Sequence, residues 1–547
     1  MARPGVSRSG SAEKLTRLAV LERSQKAIAS GKVTSAPPVL RLVLAVVAGL
    51  FLWAAQGAAI CAWLGAAAYM LAVCGSAPPL AAAAGAIAAA LGCFRLFSAY
   101  SGASVVLLII VLAGLAGVIA GALSAVISRR LPPQAFAFLA ALLPAGLEQL
   151  GAFGPLGGLS STALTQYAHP IIVCMGRLGG LAGVTYVIFL FGGAVAIAIC
   201  HARSASLVLA SAAPPLAVVL LGLFYGIVSS AASDTRIHAV AFDVADQVAG
   251  RDTLTSKVDY DRAAWAPYVK AVTDQAVRLA DRPLPATALG GTQEQKNYQL
   301  LVWPEAAVVV NADSRAPLLQ QIGSLAKNSK CAQAAAFYDS TSMESVAVIT
   351  GADGKVAAQS VRHLFISGVD DSIMSAQIAV RGTAPPGVAD TAIGRVGLLL
   401  SLDANSFANF KNIAFGGAAL VCVYGCDDVK TPQASIRLLV YNAALSGLAV
   451  VRSAQNGRLA AISPDGTIIA DYQSIPNVAG DLAAAVPLGT GRTAFLIFGN
   501  AFAWLALLVG IAAGLYASSI KEPTEPGSHA PHAGAMSYKT KEGTKEV

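Results

Sequence analysis

Charged residues are scarce in this sequence. Asp, Glu, Lys and Arg make up 12% of its 547 residues, whereas 55% are hydrophobic. An ordinary soluble globular protein is excluded, because about a quarter of the residues in such proteins are charged. Between residues 42 and 230 the charged residues are Arg95, Arg129, Arg130, Glu148, Arg177 and Arg203. The apolar segments between them are long enough to cross a bilayer, so the sequence predicts an integral membrane protein.

A recognisable metal motif is also lacking. Cys422 and Cys426 have a spacing that could bind zinc, but no second cysteine or histidine pair follows them. Neither a metal nor another cofactor is therefore expected. A disulfide between these two cysteines and simple burial of Cys422 both remain open. The earlier cysteines lie in or beside apolar segments and are expected to be packing residues; they are Cys61, Cys74, Cys93, Cys174 and Cys200.

The net charge of +8 does not indicate a nucleic-acid partner, because the basic residues concentrate at the chain ends and in short loops. That pattern is typical of membrane topology. Residues 1–41 form a basic arm without the apolar core of a signal peptide, and we expect this arm to be flexible and cytoplasmic. Residues 517–547 are polar and are expected to be a disordered cytoplasmic tail.

Seven transmembrane spans fit the region 42–230, and an eighth fits residues 494–516. The seven are placed at 42–57, 58–74, 79–98, 103–128, 134–150, 177–200 and 206–230. This count puts Arg129, Arg130 and Arg203 on the cytoplasmic side, in agreement with the positive-inside rule. The chain between the seventh and eighth spans is therefore expected to be extracytoplasmic.

Glu148 is the acid within the predicted spans, near the end of the fifth. A carboxylate at membrane depth is costly enough to indicate a site, but a position at the interface fits equally well. Residues 151–180 follow it and are rich in Gly and Pro. We expect them to fold over the membrane surface.

Residues 231–493 have a different character, because short apolar runs alternate there with helical patterns. They predict an α/β domain of about 250 residues, which is large enough for its own core. One of the apolar runs, Tyr298–Val310, is interrupted by Trp303, Pro304 and Glu305. An acid just past a buried strand lies where α/β sheets build their sites, although an exposed loop acid also fits this stretch when it is taken alone.

The chain resembles the apolipoprotein N-acyltransferase family, whose members belong to the nitrilase, or carbon-nitrogen hydrolase, superfamily. The resemblance rests on the order of several short motifs along nearly the whole chain after the arm. They are Val302-Trp303-Pro304-Glu305, Arg362-His363-Leu364, Pro464-Asp465-Gly466 and Val486-Pro487-Leu488-Gly489-Thr490-Gly491-Arg492-Thr493. The resemblance implies an α-helical membrane domain of about eight spans with an extracytoplasmic α-β-β-α sandwich.

The resemblance also implies a reaction, in which an acyl chain passes from a phospholipid through a cysteine thioester to the N-terminal diacylglyceryl-cysteine of a lipoprotein. A glutamate acts as the base and a lysine stabilises the oxyanion. Glu305 matches the glutamate, but Val361 stands at the lysine position and Ser401 at the cysteine position. Arg362 is adjacent, yet neighbouring residues on a strand point to opposite faces, so we expect it to be a poor substitute.

Two functions follow from these departures. One is an acyltransferase with a rebuilt site, in which Ser401 is the nucleophile, Glu305 the base and the backbone amides after Ser401 the oxyanion donors. The other is a pseudoenzyme that binds or presents a lipid or lipoprotein without turnover. Further pocket candidates are Val361, Arg362, His363, Asp403, Cys422 and Glu148, and Lys355, Lys411 or Lys430 could replace the lysine.

By the same resemblance, the expected partners are a phospholipid acyl donor, a lipoprotein N-terminus and membrane lipid. The protein is expected to be a monomer in the bacterial inner membrane, with both termini cytoplasmic and the nitrilase-like domain periplasmic.

Overall fold

The structure is a computed structural model, and it describes residues 37–55, 57–97, 103–152, 157–202, 205–229, 235–243, 268–283, 298–305, 308–364, 380–426, 432–455, 457–475 and 478–520. Most of the predicted arm, most of the predicted tail and Lys430 lie outside these residues. So does the side chain of Cys426, although its backbone is described. The predicted disulfide of Cys426 therefore stays a prediction.

Each predicted span in the first half contains a helix. The helices are α1 (Pro38–Ala54), α2 (Ile60–Val73), α3 (Pro78–Phe97), α4 (Ala103–Arg130), α5 (Pro133–Ala152), α6 (Pro170–Cys200) and α7 (Ala205–Ser229). Among the described residues, four segments are long and apolar enough to cross a membrane: Leu107–Arg130, Pro170–Cys200, Val208–Ser229 and, near the chain end, Ala501–Ser519. The count of eight spans and their topology stay predictions.

The prediction that residues 151–180 fold over the membrane surface is wrong for its second half. Gly157–Ser160 and Thr162–Gln166 are short 3₁₀ helices, but α6 already begins at Pro170. Gly180 kinks α6 with φ of 67° and ψ of −161°. A Cβ at this glycine would lie 2.4 Å from the Phe495 ring, so the close packing and the left-handed backbone both require glycine here.

The second half of the chain alternates strands and helices, as the sequence predicts. The elements are β1 (Arg236–Phe242), α8 (Tyr268–Ala280), β2 (Leu300–Val302), β3 (Val308–Val310), α9 (Ala312–Ser329), β4 (Ala332–Asp339), β5 (Glu344–Thr350), β6 (Val356–Val361), β7 (Val388–Thr391), β8 (Gly394–Leu400), α10 (Phe407–Phe415), β9 (Leu420–Cys426), α11 (Pro432–Ser446), β10 (Ala449–Gln455), β11 (Arg458–Ile462), β12 (Ile468–Gln473), β13 (Asp481–Pro487), α12 (Ala494–Phe498) and α13 (Ala501–Ser519). A 3₁₀ helix at Ser401–Asn405 separates β8 from α10.

These strands form two sheets. The first has the order β13-β1-β2-β4-β5-β6, with β3 paired to β4, and the second has the order β12-β11-β10-β9-β8-β7. Parallel pairs β1–β2–β4 and β8–β9–β10 form the centres of the two sheets, so the carboxyl ends of the central strands meet at one edge of each. Sites of α/β proteins are built at such edges.

One apolar core lies between the two sheets. It joins β1, β2 and β4 residues such as Ala239 and Leu300 to β8 and β9 residues such as Leu398 and Cys422. A second core lies between the outer face of the first sheet and helices α8 and α9. Helices α10 and α11 cover the second sheet, which completes the four layers of the predicted α-β-β-α sandwich.

Helix α11 also joins the α/β domain to the apolar helices of the first half, in one continuous apolar core. The Tyr441 hydroxyl donates to the carbonyl of Ala163 at 2.7 Å. Arg177 of α6 donates to the carbonyls of Ala444 at 3.1 Å and Pro464 at 2.7 Å. Arg177 is therefore a helical residue that anchors the α/β domain rather than the first residue of a span.

Candidate active site

Glu305 lies directly beyond the carboxyl end of β2. Parallel pairing of β2 with β4 continues to Trp303, whose amide donates to the carbonyl of Ala334 at 2.9 Å. Proline cannot donate an amide hydrogen to continue this ladder. The chain then turns across to the second sheet, where the Glu305 amide lies 3.4 Å from the carbonyl of Gly425. The Glu305 side chain is completely buried, so an exposed loop acid is excluded.

Arg362 neutralises the buried Glu305. Its Nη1 donates to Glu305 Oε1 at 3.1 Å, and the two side chains are 1% and 0% exposed. The same carboxylate oxygen accepts a hydrogen bond from the Ser345 hydroxyl at 3.1 Å. Arg362 is held further by the bond from its Nε to the carbonyl of Leu364 at 3.0 Å.

The expectation that Arg362 points away from the site is wrong, and the alternation rule explains why. Val361 is the last residue of β6, and its side chain packs on the outer core with α8 and α9. Because successive side chains alternate between faces, the next residue points inward, and that residue is Arg362. The arginine therefore reaches Glu305 without a register shift.

Ser401 occupies a strained turn at the carboxyl end of β8. Its φ is 44°, in a region that non-glycine residues rarely adopt. Strained residues of this kind persist where the surrounding structure holds them, often at functional sites. Leu400 pairs with Tyr424 on β9, next to Gly425, whose carbonyl faces the Glu305 amide. The end of β8 and the end of β2 are thus joined through β9.

Asp403 fastens the Ser401 turn to the segment that follows Arg362. Its carboxylate accepts from the amides of His363 at 2.8 Å and Leu364 at 2.9 Å, and it lies 3.1 Å from His363 Nδ1. The other ring nitrogen of His363 contacts the carbonyl of Ala384. Burial raises the pKa of Asp403, and its hydrogen bonds and charge interaction with His363 oppose that shift. Asp403 and His363 therefore position the site.

The alternative nucleophile and the alternative lysines lie elsewhere. Cys422 is fully buried in the core between the sheets, where burial raises the pKa of its thiol. A thiol in this position is a packing residue. Lys355 is exposed beside the turn that precedes β6, and the Lys411 ammonium lies 5.5 Å from the centre of the Phe415 ring.

Glu148 forms a separate polar cluster at the end of α5. Its carboxylate accepts from the hydroxyls of Ser161 at 3.1 Å and Thr185 at 2.9 Å, and from the amide of Thr162 at 3.0 Å. The Thr162 hydroxyl also contacts it. Four donors satisfy this carboxylate, so Glu148 connects α5, the second 3₁₀ helix and α6. It does not lie with Glu305.

Two groups at the site carry no sequence signal. Ser345 is one of many serines, and only the pairing of β2 with β4 and of β4 with β5 brings it to Glu305. Ala384 contributes a backbone carbonyl, which no side-chain pattern can indicate. Within the described residues, no group of three or more His, Cys, Asp or Glu side chains could hold a metal ion.

Comparison with known proteins gives likenesses of structure only. No protein-family model and no curated protein matches the chain. An amidase from Nesterenkonia sp. AN1, solved with an acetamide group added covalently at its active-site cysteine, is 17% identical over 49% of this chain and 95% of its own, with a TM-score of 0.35. A carbon-nitrogen hydrolase from Helicobacter pylori is 13% identical over 46% of this chain and 89% of its own, with a TM-score of 0.36.

A third likeness is Nit3 from Saccharomyces cerevisiae, a member of branch 10 of the nitrilase superfamily. It is 14% identical over 46% of this chain and 91% of its own, with a TM-score of 0.34. Each likeness spans about half of this chain. At these identities and scores, the likenesses do not establish a family for the chain.

Proposed function

We propose that this protein is a membrane-bound acyltransferase of the apolipoprotein N-acyltransferase type with a rebuilt site. In this proposal, Ser401 takes an acyl chain from a phospholipid and passes it to the N-terminal amine of a diacylglyceryl-cysteine lipoprotein. The observation that carries the proposal is the buried ion pair of Glu305 and Arg362, which supplies a carboxylate and a cation at the end of the site strand.

Each residue has a defined role in the first half-reaction. The Ser401 hydroxyl attacks the ester carbonyl of the phospholipid while Glu305 accepts its proton. Arg362 stabilises the oxyanion, because a guanidinium has five N–H donors and can hold a carboxylate as well as a developing negative charge. The intermediate collapses to an acyl ester on Ser401, and the lysophospholipid leaves with the proton from Glu305.

The second half-reaction repeats these roles with an amine. The lipoprotein amine attacks the Ser401 ester, Glu305 accepts an amine proton, and Arg362 again stabilises the oxyanion. Ser401 then leaves as an alcohol by taking the proton back. The product is an amide, and the site returns to its starting state.

This chemistry is expected to be slow. A serine hydroxyl is much less acidic than a cysteine thiol, and catalytic serines usually rely on histidine or lysine as their base. An arginine beside the carboxylate also stabilises its charged form and so weakens it as a base. The strained backbone of Ser401 is the feature that favours a catalytic site over a site that has lost its activity.

A second candidate function is binding of a lipid or lipoprotein without turnover. The observation that favours it is the occupation of Glu305 Oε1 by both Arg362 and Ser345. Two donors on one carboxylate oxygen stabilise the charged form of Glu305, and a stabilised carboxylate is a weaker base. In this case the ion pair stabilises the fold and the site only holds an acyl chain.

An acyl-transfer assay separates the two. Purified full-length protein is incubated with phospholipid carrying a labelled acyl chain and with a synthetic diacylglyceryl-cysteine peptide. We expect labelled amide from the wild type and none from Ser401→Ala or Glu305→Gln, with Cys422→Ser as a matched control that keeps the activity. No labelled amide from folded wild type, together with retained binding of the peptide or lipid, would establish the binding function instead.

We further propose that the α/β domain lies on the periplasmic face of a bacterial inner membrane, with both termini cytoplasmic and the protein monomeric. The basic residues Arg129, Arg130 and Arg203 support this orientation. Cysteine labelling of Ser519→Cys and Asp390→Cys in intact cells tests it, because a membrane-impermeant reagent should reach only position 390.

A further inference from the structure

Two cysteines meet at the end of the membrane helices that lies farthest from the α/β domain. Cys200 is the last residue of α6, and Cys74 directly follows the end of α2. Their thiols interact with each other across the packing of α2 against α6. Helix α6 contacts the α/β domain through Arg177, so Cys200 lies about 35 Å away along the helix at 1.5 Å per residue.

The packing of α2 against α6 explains this meeting. A Cβ on Gly192 would lie 2.7 Å from the backbone of Ala66, so the two helices touch at this pair. The Gln166 side chain donates to the carbonyl of Ala59 at the start of α2, and Ser161, at the other end of the same 3₁₀ helix, contacts Thr185 of α6. Ala59 and Thr185 are each seven residues before the Ala66–Gly192 contact, so the two helices run in the same direction. Each cysteine is eight residues beyond the Ala66–Gly192 contact, and residues eight apart lie near one face of a helix.

A buried cation lies beside the two cysteines. Arg41 of α1 is 3% exposed and donates to the carbonyl of Cys74 at 2.9 Å, as well as to the hydroxyl of Ser76. Its charge interacts with both cysteines. A neighbouring guanidinium favours the thiolate, which is the reactive form of cysteine.

The two thiols differ in access. Cys74 is buried at 7% exposure, whereas Cys200 is half-buried at the end of its helix. A small reagent can therefore reach Cys200 first, and Cys74 is placed to react next. This arrangement of an accessible thiol, a second thiol in contact and a cation is the chemistry of a reactive cysteine pair.

We propose that Cys74 and Cys200 form a redox-active dithiol that is oxidised to a disulfide by a low-molecular-weight disulfide. In this proposal the two cysteines form a redox site, whereas the sequence analysis expects both to be packing residues. The proposal is independent of the acyltransferase proposal, because neither cysteine lies in the α/β domain.

The reaction proceeds by two exchanges. The Cys200 thiolate attacks one sulfur of the small disulfide, whose S–S bond breaks, and a mixed disulfide forms as one small thiolate leaves. The Cys74 thiolate then attacks the Cys200 sulfur and expels the second small thiolate. Two electrons pass from the cysteines to the reagent, and the two thiol protons end on the two released small thiols.

The test uses reduced full-length protein in detergent micelles with glutathione disulfide as the oxidant. After oxidation the protein is unfolded, its remaining thiols are alkylated, and they are counted and mapped by mass spectrometry. We expect wild type to lose two alkylatable thiols through a bond between Cys74 and Cys200, and dithiothreitol to restore both. Cys74→Ser should instead retain one glutathione on Cys200.

The control variant is Cys61→Ser, which removes another half-buried cysteine of α2 and should keep the two-thiol loss. Size-exclusion profiles show whether each variant is folded. Full alkylation of both Cys74 and Cys200 in folded wild type would overturn the proposal. A two-thiol loss that persists in Cys200→Ser would overturn it as well.

Discussion

Arg362 donates to the carboxylate of Glu305 at 3.1 Å, and the two side chains are almost completely buried. Both residues follow strands of the first sheet, Glu305 after β2 and Arg362 after β6, and β4 and β5 lie between these two strands. Their pairing places a cation where the resemblance implies a lysine, although Val361 occupies the aligned position. In the proposed reaction, this pair supplies the base and the oxyanion donor for Ser401.

Breaking the ion pair should destabilise the protein strongly. Glu305→Leu or Arg362→Leu alone leaves a buried charge without its partner, so each should lower the free energy of unfolding by about 3–5 kcal/mol. The double variant should lose much less than the sum. Denaturant unfolding in micelles measures all three.

The matched control for these single and double variants is the exposed pair of Arg395 and Asp390. These two residues lie 2.6 Å apart, with 51% and 78% of their side chains exposed. Arg395→Leu should change stability little, because solvent screens this pair. Additive losses for Glu305→Leu and Arg362→Leu would contradict an ion pair between them.

Replacing Ser401 by glycine should stabilise the protein. Its φ of 44° costs a non-glycine residue about 1 kcal/mol, and glycine adopts it without strain. Ser401→Gly should therefore be more stable than Ser401→Ala by about that amount, and both should be inactive. Lys330→Gly, at φ of 57° beyond α9, is the control that gains stability and keeps activity. Equal stability of Ser401→Gly and Ser401→Ala would contradict a strained turn.

Asp403 should make the stability of the protein depend on pH in the acidic range. Burial raises its pKa above the ordinary 3.8, so the folded protein binds a proton more tightly than the unfolded chain does. Stability should then fall as pH rises from about 4 through the raised pKa, and level off above it. The contribution of Asp403 is the stability of the wild type minus that of Asp403→Asn, measured by thermal unfolding between pH 4 and 7. A wild type that gains stability relative to Asp403→Asn as pH rises would contradict this sign.

Glu148 should matter for stability rather than for chemistry. Glu148→Ala leaves the donors of Ser161, Thr162 and Thr185 without their acceptor and should cost about 2–4 kcal/mol. Thr185→Val removes a single donor and should cost about 1 kcal/mol. Acyl transfer per folded molecule should be unchanged in Thr185→Val. A selective loss of activity there would place this cluster in the reaction.

The sequence predicts most helices and strands of the fold, because the hydrophobic pattern of each one is contained in a short stretch of the chain. The apolar segments, the strands around Glu305 and the hairpin at Pro464-Asp465-Gly466 are all of this kind. Strands β7 and β13 are not predicted, since β7 spans four residues and β13 lies at the edge of its sheet, with mostly half-buried side chains. The start of α6 at Pro170 is also missed, because glycine and proline there indicate a loop.

Prediction of the site residues depended on knowing which face of its strand each side chain points from. The glutamate position could be read from the strand and the motif around it. Arg362 was misjudged because its neighbour Val361, not Arg362, was assumed to face inward, and strand alternation fixes only relative orientation. Ser345 and the carbonyl of Ala384 reach the site through tertiary pairing, which no local pattern contains.

The most direct test of the central claim is to trap the acyl ester on Ser401. Full-length protein is mixed with phospholipid in the absence of any lipoprotein amine, quenched in acid and analysed by intact-mass and peptide mass spectrometry. We expect one acyl chain on the peptide that contains Ser401, and none in Ser401→Ala. Unmodified Ser401 in folded protein that binds the phospholipid would contradict it.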